Sequence, residues 1–178
     1  IAGYSAGMRI ESLSIVPMLA MGNAMSTFTA QNMGAGKIDR VKEGYRMCYV
    51  IVLTAGAVLC VMYQLAGGAF VSLFLDSGSS EAYSVGLSYV KFLSFFYSFI
   101  GLKATTDGLL RGAGDVTAFT VANLVNLAIR VSVTNLFAPI YGIQVAWMAV
   151  PLGWAANYVI SFGWYLTGKW KKVRVIKK

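Results

Sequence analysis

Charged side chains are scarce in this sequence. Only 12% of its 178 residues are Asp, Glu, Lys or Arg, while 57% are hydrophobic and the mean hydropathy is +0.65. An ordinary soluble domain carries about 25% charged residues, and so few charges cannot cover the surface of a soluble domain of this length. A disordered chain would need low hydrophobicity. The composition therefore predicts an all-α integral membrane protein.

Histidine is absent and cysteine is nearly so. Without His, the chain has no histidine general base, no Ser-His-Asp triad and no histidine metal site. Cys48 and Cys60 are twelve residues apart on one predicted helix, about 18 Å along its axis, whereas a disulfide needs Cα atoms within about 7 Å. We predict that both are buried hydrophobic residues. A membrane enzyme would need a cluster of catalytic acids, His or Cys, so we expect neither an enzyme nor a cofactor.

Long stretches without charge define the predicted membrane spans, since a spanning helix needs about 20 mostly apolar residues. Three stretches, 12–36, 47–75 and 131–168, contain no charged residue, although Pro139 and Gly142 interrupt the third. The intervening residues are apolar apart from a few isolated charges. We predict a bundle of five transmembrane helices within residues 1–168, followed by a basic tail at 169–178; the helices are 4–33, 45–75, 82–110, 116–138 and 143–167.

The number of helices is odd and the chain begins at Ile1 without a signal-peptide pattern. If the fold is built from six-helix units, the first of the five helices lacks a partner. We therefore expect at least one further helix upstream.

The net charge of +8 is unevenly distributed. Eleven of the fifteen bases lie in three segments, 34–46, 111–115 and 169–178, which five spans place on one side of the membrane. The opposite connections, 76–81 and 138–142, hold two acids and no base. The positive-inside rule predicts that the three basic segments are cytoplasmic. This distribution indicates a membrane protein that contacts lipid and argues against a nucleic-acid-binding protein.

Four charged residues lie near the ends of predicted spans. Lys103 and Asp107 are separated by four residues, a spacing that supports an ion pair on one helix face. Arg9 and Glu11 lie near the outer end of the first helix, where we expect them in the headgroup region. The intramembrane acids are thus expected to be few and peripheral.

A polar stripe follows one face of the fourth predicted helix. Asn123, Asn126 and Arg130 are three and four residues apart and must face the protein interior or water. Two readings remain open: Arg130 ties two helices together through backbone carbonyls, or the stripe is one wall of an aqueous cavity. The remaining candidates for the cavity lining are a second deep base and three residues of the last helix: Lys91, Trp147, Asn157 and Tyr158.

Three motifs carry a resemblance to a known family. The loop 31–40, QNMGAGKIDR, and the turn 110–115, LRGAGD, resemble the loop motifs of the multidrug and toxic compound extrusion (MATE) family. The segment 142–154, with Trp147, Pro151 and Trp154, is similar to the last helix of that family. The motifs occur in the expected order over nearly the whole chain.

The resemblance implies that residues 1–178 are the last five of twelve helices, an incomplete six-helix C-terminal lobe of a two-lobe transporter. The family implies export of drugs, toxins or other organic, often cationic, compounds in exchange for Na⁺ or H⁺ by alternating access. The motif residues are expected to act as structural and gating elements: Gln31, Gly34, Gly36, Arg40, Arg111, Gly112 and Asp115.

Some family members couple transport to an ion through a buried acid on the tenth helix, but the corresponding stretch here, 99–101, has none. We therefore expect the coupling ion to bind mainly in the N-terminal lobe, which this chain lacks. The expected partners are membrane lipid, a small organic substrate and that lobe, and the expected location is the cytoplasmic (inner) membrane. The alternatives are a lipid-linked oligosaccharide flippase of the same superfamily and a non-transporting membrane protein.

Overall fold

The computed structural model describes residues 2–75, 80–142 and 144–172, and these residues form helices joined by short connections, without a strand among them. The elements, in chain order, are α1 (Ala2–Gly34), α2 (Ile38–Ser72), α3 (Ser80–Ser94), α4 (Tyr97–Gly112), α5 (Val116–Tyr141), α6 (Gln144–Thr167) and a 3₁₀ turn (Lys169–Lys172). The all-helical architecture follows the sequence prediction. The second helix begins at Ile38 and not at 45, so most of the predicted loop 34–46 is helical. Asp76, Ile143, Arg174, Lys177 and Lys178 lie outside the described residues.

The third helix departs from the prediction. Instead of one helix over 82–110, the chain breaks at residues 95–96, and α3 and α4 are bent by 50°. At the break, the carbonyl of Lys91 accepts hydrogen bonds from Ser94 Oγ (2.7 Å) and from Gln64 Nε2 of α2 (3.0 Å). Side chains that insert into the backbone ladder in this way bend a helix. The prediction of a continuous helix was wrong. One of the two hydrogen bonds at the break comes from Gln64 of α2, which is distant in sequence.

Small residues bring α1 and α4 into close contact along much of their length. A side chain on Gly108 of α4 would collide with the backbone carbonyl of Gly22 of α1, and one on Gly112 would collide with the carbonyl of Ser26. Within a bilayer, little hydrophobic force drives helices together, so close backbone approach provides the packing energy. The α1–α4 pair is therefore the central helix contact of the bundle.

The remaining helices are arranged around this pair. α2 packs against both α1 and α4, α3 packs against α1 and α2, and α6 packs against α4. α5 contacts mainly α6 and buries only Ala118 and Ala122. It continues through Pro139 and ends at Gly142, whose φ of +82° stops it. The predicted end at residue 138 was therefore three residues too early, because Pro139 lies inside the last turn of the helix.

The surface of the bundle is strongly apolar. Leu65 of α2, Leu136 of α5 and Leu166 of α6 expose 84%, 65% and 67% of their surface. Within the described residues, α1, α2 and α5 are long and apolar enough to cross a membrane, and the bent pair α3–α4 makes a fourth if it counts as one span. α6 has 24 residues and is also long enough to cross a membrane.

The predicted basic segments gather at one end of the bundle, hereafter the basic end. Trp170 is fully buried there in a cluster with Val41 and Tyr45 near the start of α2. Trp164 Nε1 donates a 2.6 Å hydrogen bond to Asp115 Oδ2, at the turn between α4 and α5. The described parts of these three segments, which for the tail end at residue 172, therefore lie on the same side of the bundle.

Candidate functional site

Polar side chains of three helices meet inside the bundle, in the half nearer the basic end. Lys103 Nζ of α4 lies 2.9 Å from Asp107 Oδ2 and 3.1 Å from Asn123 Oδ1 of α5. Ser161 Oγ of α6 donates a 2.6 Å hydrogen bond to Asp107 Oδ1 and lies 3.4 Å from Asn157 Oδ1. These five residues form what we call the Asp107 network.

The predicted ion pair between Lys103 and Asp107 is confirmed. The expectation that the acids would be peripheral was wrong for Asp107, which is only 4% exposed. Its burial comes from α6, because Asn157 and Ser161 cover it and both are fully buried. Nothing in the sequence of α4 signals this covering, so sequence reasoning missed the buried carboxylate.

A second cluster, which we call the Glu11 cluster, lies nearer the opposite end. Tyr89 of α3 donates a hydrogen bond to Glu11 of α1, which is half-buried. The rings of Tyr4, Tyr89 and Trp147 surround this region, with centroids 5.2 Å apart for Tyr4–Tyr89 and 5.3 Å apart for Tyr89–Trp147. Trp147 Nε1 is buried and has no hydrogen-bond partner within the described part of the chain. Glu11 thus lies among aromatic rings, where we expected a headgroup position.

The polar stripe of α5 lies against α6. Asn126 Oδ1 and the Arg130 side-chain stem both lie beside Gly153, where any larger residue would collide with them. Asn126 Oδ1 is buried and finds no partner among the described residues. No ion pair within 4.0 Å joins Arg130 to Glu11 in the described structure. The stripe therefore joins the Asp107 network at Asn123 and lies beside Gly153 of α6 at Asn126 and Arg130.

Two predicted lining residues lie elsewhere. Lys91 is half-buried and its stem lies near Gly67 of α2, away from the α5 stripe. Tyr158 faces α2, where its hydroxyl is 3.4 Å from that of Tyr49. The structure thus places Asn123 and Asn157 in the Asp107 network, Asn126 and Arg130 beside Gly153, and Trp147 in the Glu11 cluster. It separates Lys91 and Tyr158 from these groups.

An apolar cleft of about 300 Å³ opens between the bent α3–α4 pair and α6, and a smaller one of about 260 Å³ includes Trp147. Phe92 and Met148 line both. Because Trp147 also belongs to the Glu11 cluster, apolar and polar surfaces are adjacent. The other residues that line the larger cleft are Phe96, Phe99, Pro151, Leu152 and Ala155.

The two Gly-Ala-Gly loops share one backbone conformation. Gly36 and Gly114 have φ of +70° and +83°, and the residue after each donates its N–H to a carbonyl five residues earlier. This is the hydrogen bond of a glycine helix stop, which needs the left-handed conformation that glycine accepts most easily. Both loops therefore end one helix sharply and return the chain into the next.

The polar motif residues divide into two groups. Arg111 donates to Asn23 Oδ1 of α1 (2.8 Å) and lies over the Phe119 ring of α5 at 5.6 Å. Asp115 accepts from the backbone N–H of Ala118 and from Trp164. Both residues thus connect helices at the basic end, whereas Gln31 and Arg40 are exposed.

The sequence matches the profile of the MatE family over residues 1–150. The chain belongs to this family. MatE proteins are transporters, which confirms the expectation that the chain is not an enzyme.

Individual relatives support this assignment. This MatE chain is 28% identical over 176 residues to the probable multidrug resistance protein YpnP of Bacillus subtilis, covering 98% of this chain and 39% of the relative. It is 22% identical to the probable multidrug resistance protein NorM of Thermotoga maritima, covering 99% of this chain and 38% of the relative. The chain thus spans about two fifths of the length of the curated relatives that it matches.

A solved structure shows the same fold. The inward-facing conformation of a multidrug resistance MATE family transporter of the MOP superfamily superposes with a TM-score of 0.82 and 17% identity, covering 92% of this chain and 37% of that one. The membrane fold predicted from the sequence is therefore confirmed, and the MatE chain is a multi-pass membrane protein.

Proposed function

We propose that this chain is the C-terminal lobe of a secondary antiporter that exports organic, often cationic, compounds across the cytoplasmic membrane. The loops 34–46 and 111–115 and the tail face the cytoplasm in this proposal, because bases concentrate in cytoplasmic loops. A second lobe of the same polypeptide completes the transport pathway. The lengths of the relatives, which exceed this chain more than twofold, support that arrangement.

The observation that carries the proposal is the unpaired polar surface between α1, α3, α5 and α6. Asn126 Oδ1 and Trp147 Nε1 are buried without partners in the described structure. Asn126 lies with Arg130 beside Gly153, and Trp147 packs against Tyr89, which binds Glu11. Buried polar atoms are normally paired, so unpaired ones mark contacts with water or a ligand. The aromatic rings around Glu11 suit a flat organic cation.

The same arrangement favours a cation exporter over the flippase alternative. A pyrophosphate-linked substrate would need several convergent bases. Lys103 is paired with Asp107, and the Lys91 stem lies near Gly67 of α2, whereas Arg130 lies beside Gly153 of α6. Arg130 is therefore the base that remains for the shared polar surface.

We further propose that the coupling ion, Na⁺ or H⁺, binds mainly in the N-terminal lobe. In the part of the chain that the structure describes, no group of three or more metal-binding His, Cys, Asp or Glu residues comes together. The deepest carboxylate, Asp107, is already neutralised by Lys103.

The test is dye extrusion by the complete transporter polypeptide in membrane vesicles under an imposed Na⁺ or H⁺ gradient. Arg130→Ala removes a charged group that faces the polar surface. Such a group contributes about 1.5–3 kcal/mol when it makes a hydrogen bond, so we expect a loss of about tenfold or more in extrusion rate.

The matched control is Val131→Ala, a neighbouring change at a side chain that is 49% exposed. We expect it to leave extrusion unchanged. If Arg130→Ala is expressed normally and transports the dye at the wild-type rate, Arg130 does not line the transport cavity. Absence of gradient-driven extrusion with every dye would overturn the antiporter proposal.

A further inference from the structure

The Asp107 network has the composition of a cation site. Its oxygens come from three helices: both carboxylate oxygens of Asp107, Oδ1 of Asn123, Oδ1 of Asn157 and the hydroxyl Oγ of Ser161, which donates its hydrogen to Asp107. Carboxylate, amide and hydroxyl oxygens are the ligands that hard cations prefer. Asp107, Asn157 and Ser161 are all buried.

The positive charge in this network is the ammonium group of Lys103. Lys103 Nζ lies 2.9 Å from Asp107 Oδ2 and 3.1 Å from Asn123 Oδ1, and the Lys103 side chain is only 13% exposed. A lysine ammonium is a compact point charge with three donors. It therefore satisfies several oxygens at once, as a small metal ion would.

We propose that the Lys103 ammonium is a tethered substitute for a monovalent metal ion, so that removing it creates a Na⁺ or K⁺ site from Asp107, Asn123, Asn157 and Ser161. Asp107 cannot remain buried as an unpaired charge without a large free-energy cost. A small cation restores the missing positive charge.

The inference goes beyond the proposed transport function and is tested without a transport assay. The complete polypeptide carrying Lys103→Ala is purified in detergent, and its melting temperature is measured in NaCl, KCl and choline chloride at equal ionic strength. Choline is too large for the site, and equal ionic strength removes general screening.

We expect Lys103→Ala to melt at a lower temperature than the wild type in choline, and to regain stability in Na⁺ or K⁺ by more than the wild type does. A ligand that binds only the folded state stabilises it in this way. The double variant Lys103→Ala/Asp107→Asn should lose the excess. Lys91→Ala is the matched control, because Lys91 lies outside the network, and should show the wild-type response.

A second variant, Lys103→Gln, is included in case Lys103→Ala fails to fold. Lys103→Gln keeps a donor directed at Asp107 but loses the charge, so it should show the same excess cation response. Recovery of Lys103→Ala only in Na⁺ or K⁺ buffers also supports the inference. A response no larger than that of the wild type in both variants, or an excess that persists without the Asp107 charge, overturns it. A polypeptide that binds cations as expected but extrudes no dye would contradict the transport proposal alone.

Discussion

At the scale of single residues, Glu11 is the acidic side chain that the structure places among aromatic rings. We predict that Glu11→Gln weakens the binding of a cationic dye about tenfold while leaving a neutral ligand of similar shape unaffected. Gln keeps an oxygen that can accept from Tyr89, so the change removes charge and little else. A charge-assisted contact contributes about 1.5–3 kcal/mol, which corresponds to a tenfold or larger effect.

The measurement is fluorescence titration of the purified complete polypeptide with both ligands. Tyr89→Phe is the companion variant, since it removes the hydroxyl that holds Glu11 but keeps the ring. If Glu11→Gln weakens both ligands equally, the charge of Glu11 does not select cations.

Contacts between residues of one helix could be predicted from their spacing, whereas contacts between helices could not. The spacing of Lys103 and Asp107 was sufficient to predict their ion pair, because both partners lie one turn apart on α4. The spacing of Asn123, Asn126 and Arg130 likewise placed them on one face. The burial of Asp107 depends on Ser161, 54 residues later. Contacts of this kind require the packing of α6 against α4 and leave no trace in the local sequence.

At the scale of helices, the α1–α4 contact leaves no room for added atoms. We predict that Gly108→Ala destabilises the protein by about 1–3 kcal/mol, the usual cost of overpacking, because the new Cβ would collide with the carbonyl of Gly22. Only a movement of the two helix backbones can relieve the collision. Thermal unfolding in detergent measures the effect.

The matched change is Gly163→Ala on α6, where an added Cβ meets no atom within 4 Å. It should be neutral or stabilising by up to about 1 kcal/mol, since alanine favours helix more than glycine does. Equal effects of the two substitutions would mean that glycine flexibility, and not the α1–α4 contact, determines the result.

The break between α3 and α4 shows the limit of hydrophobic patterns at this scale. Residues 82–110 are apolar enough for one helix, and the prediction followed that pattern. Ser94 alone is a weak signal, because serine is tolerated within membrane helices. The bend needs Gln64 of α2 to bind the same carbonyl. By contrast, the helix stops at Gly36 and Gly114 were predictable, since their cause is local.

For the whole molecule, the clustering of the bases predicts one orientation. The test uses a protein in which Cys48 and Cys60 are replaced by Ser and a single cysteine is introduced at Arg40 or at Glu81. Intact cells are then treated with an impermeant maleimide. Both positions are exposed, so access should depend only on the side of the membrane. Glu81→Cys should react in intact cells, and Arg40→Cys only after permeabilisation; the reverse pattern would invert the proposed topology.

The free cysteines do not complicate this design. Cys48 and Cys60 are free and half-buried, rather than fully buried as predicted. Their replacement by Ser therefore removes little packing, and membrane insertion of the cysteine-free protein serves as the control.

The sparse packing of α5 has a consequence for how the molecule is assembled and taken apart. Because α5 buries only Ala118 and Ala122 and is held mainly by α6, these two helices form a hairpin that can enter the bilayer after the α1–α4 core is complete. Pulling the chain from its C-terminal end should then extract α6 and α5 first, as one early event at low force. The same order would separate Asn123 from Lys103 and Asp107 of α4, so the Asp107 network would be the last part of the fold to form and the first to be lost.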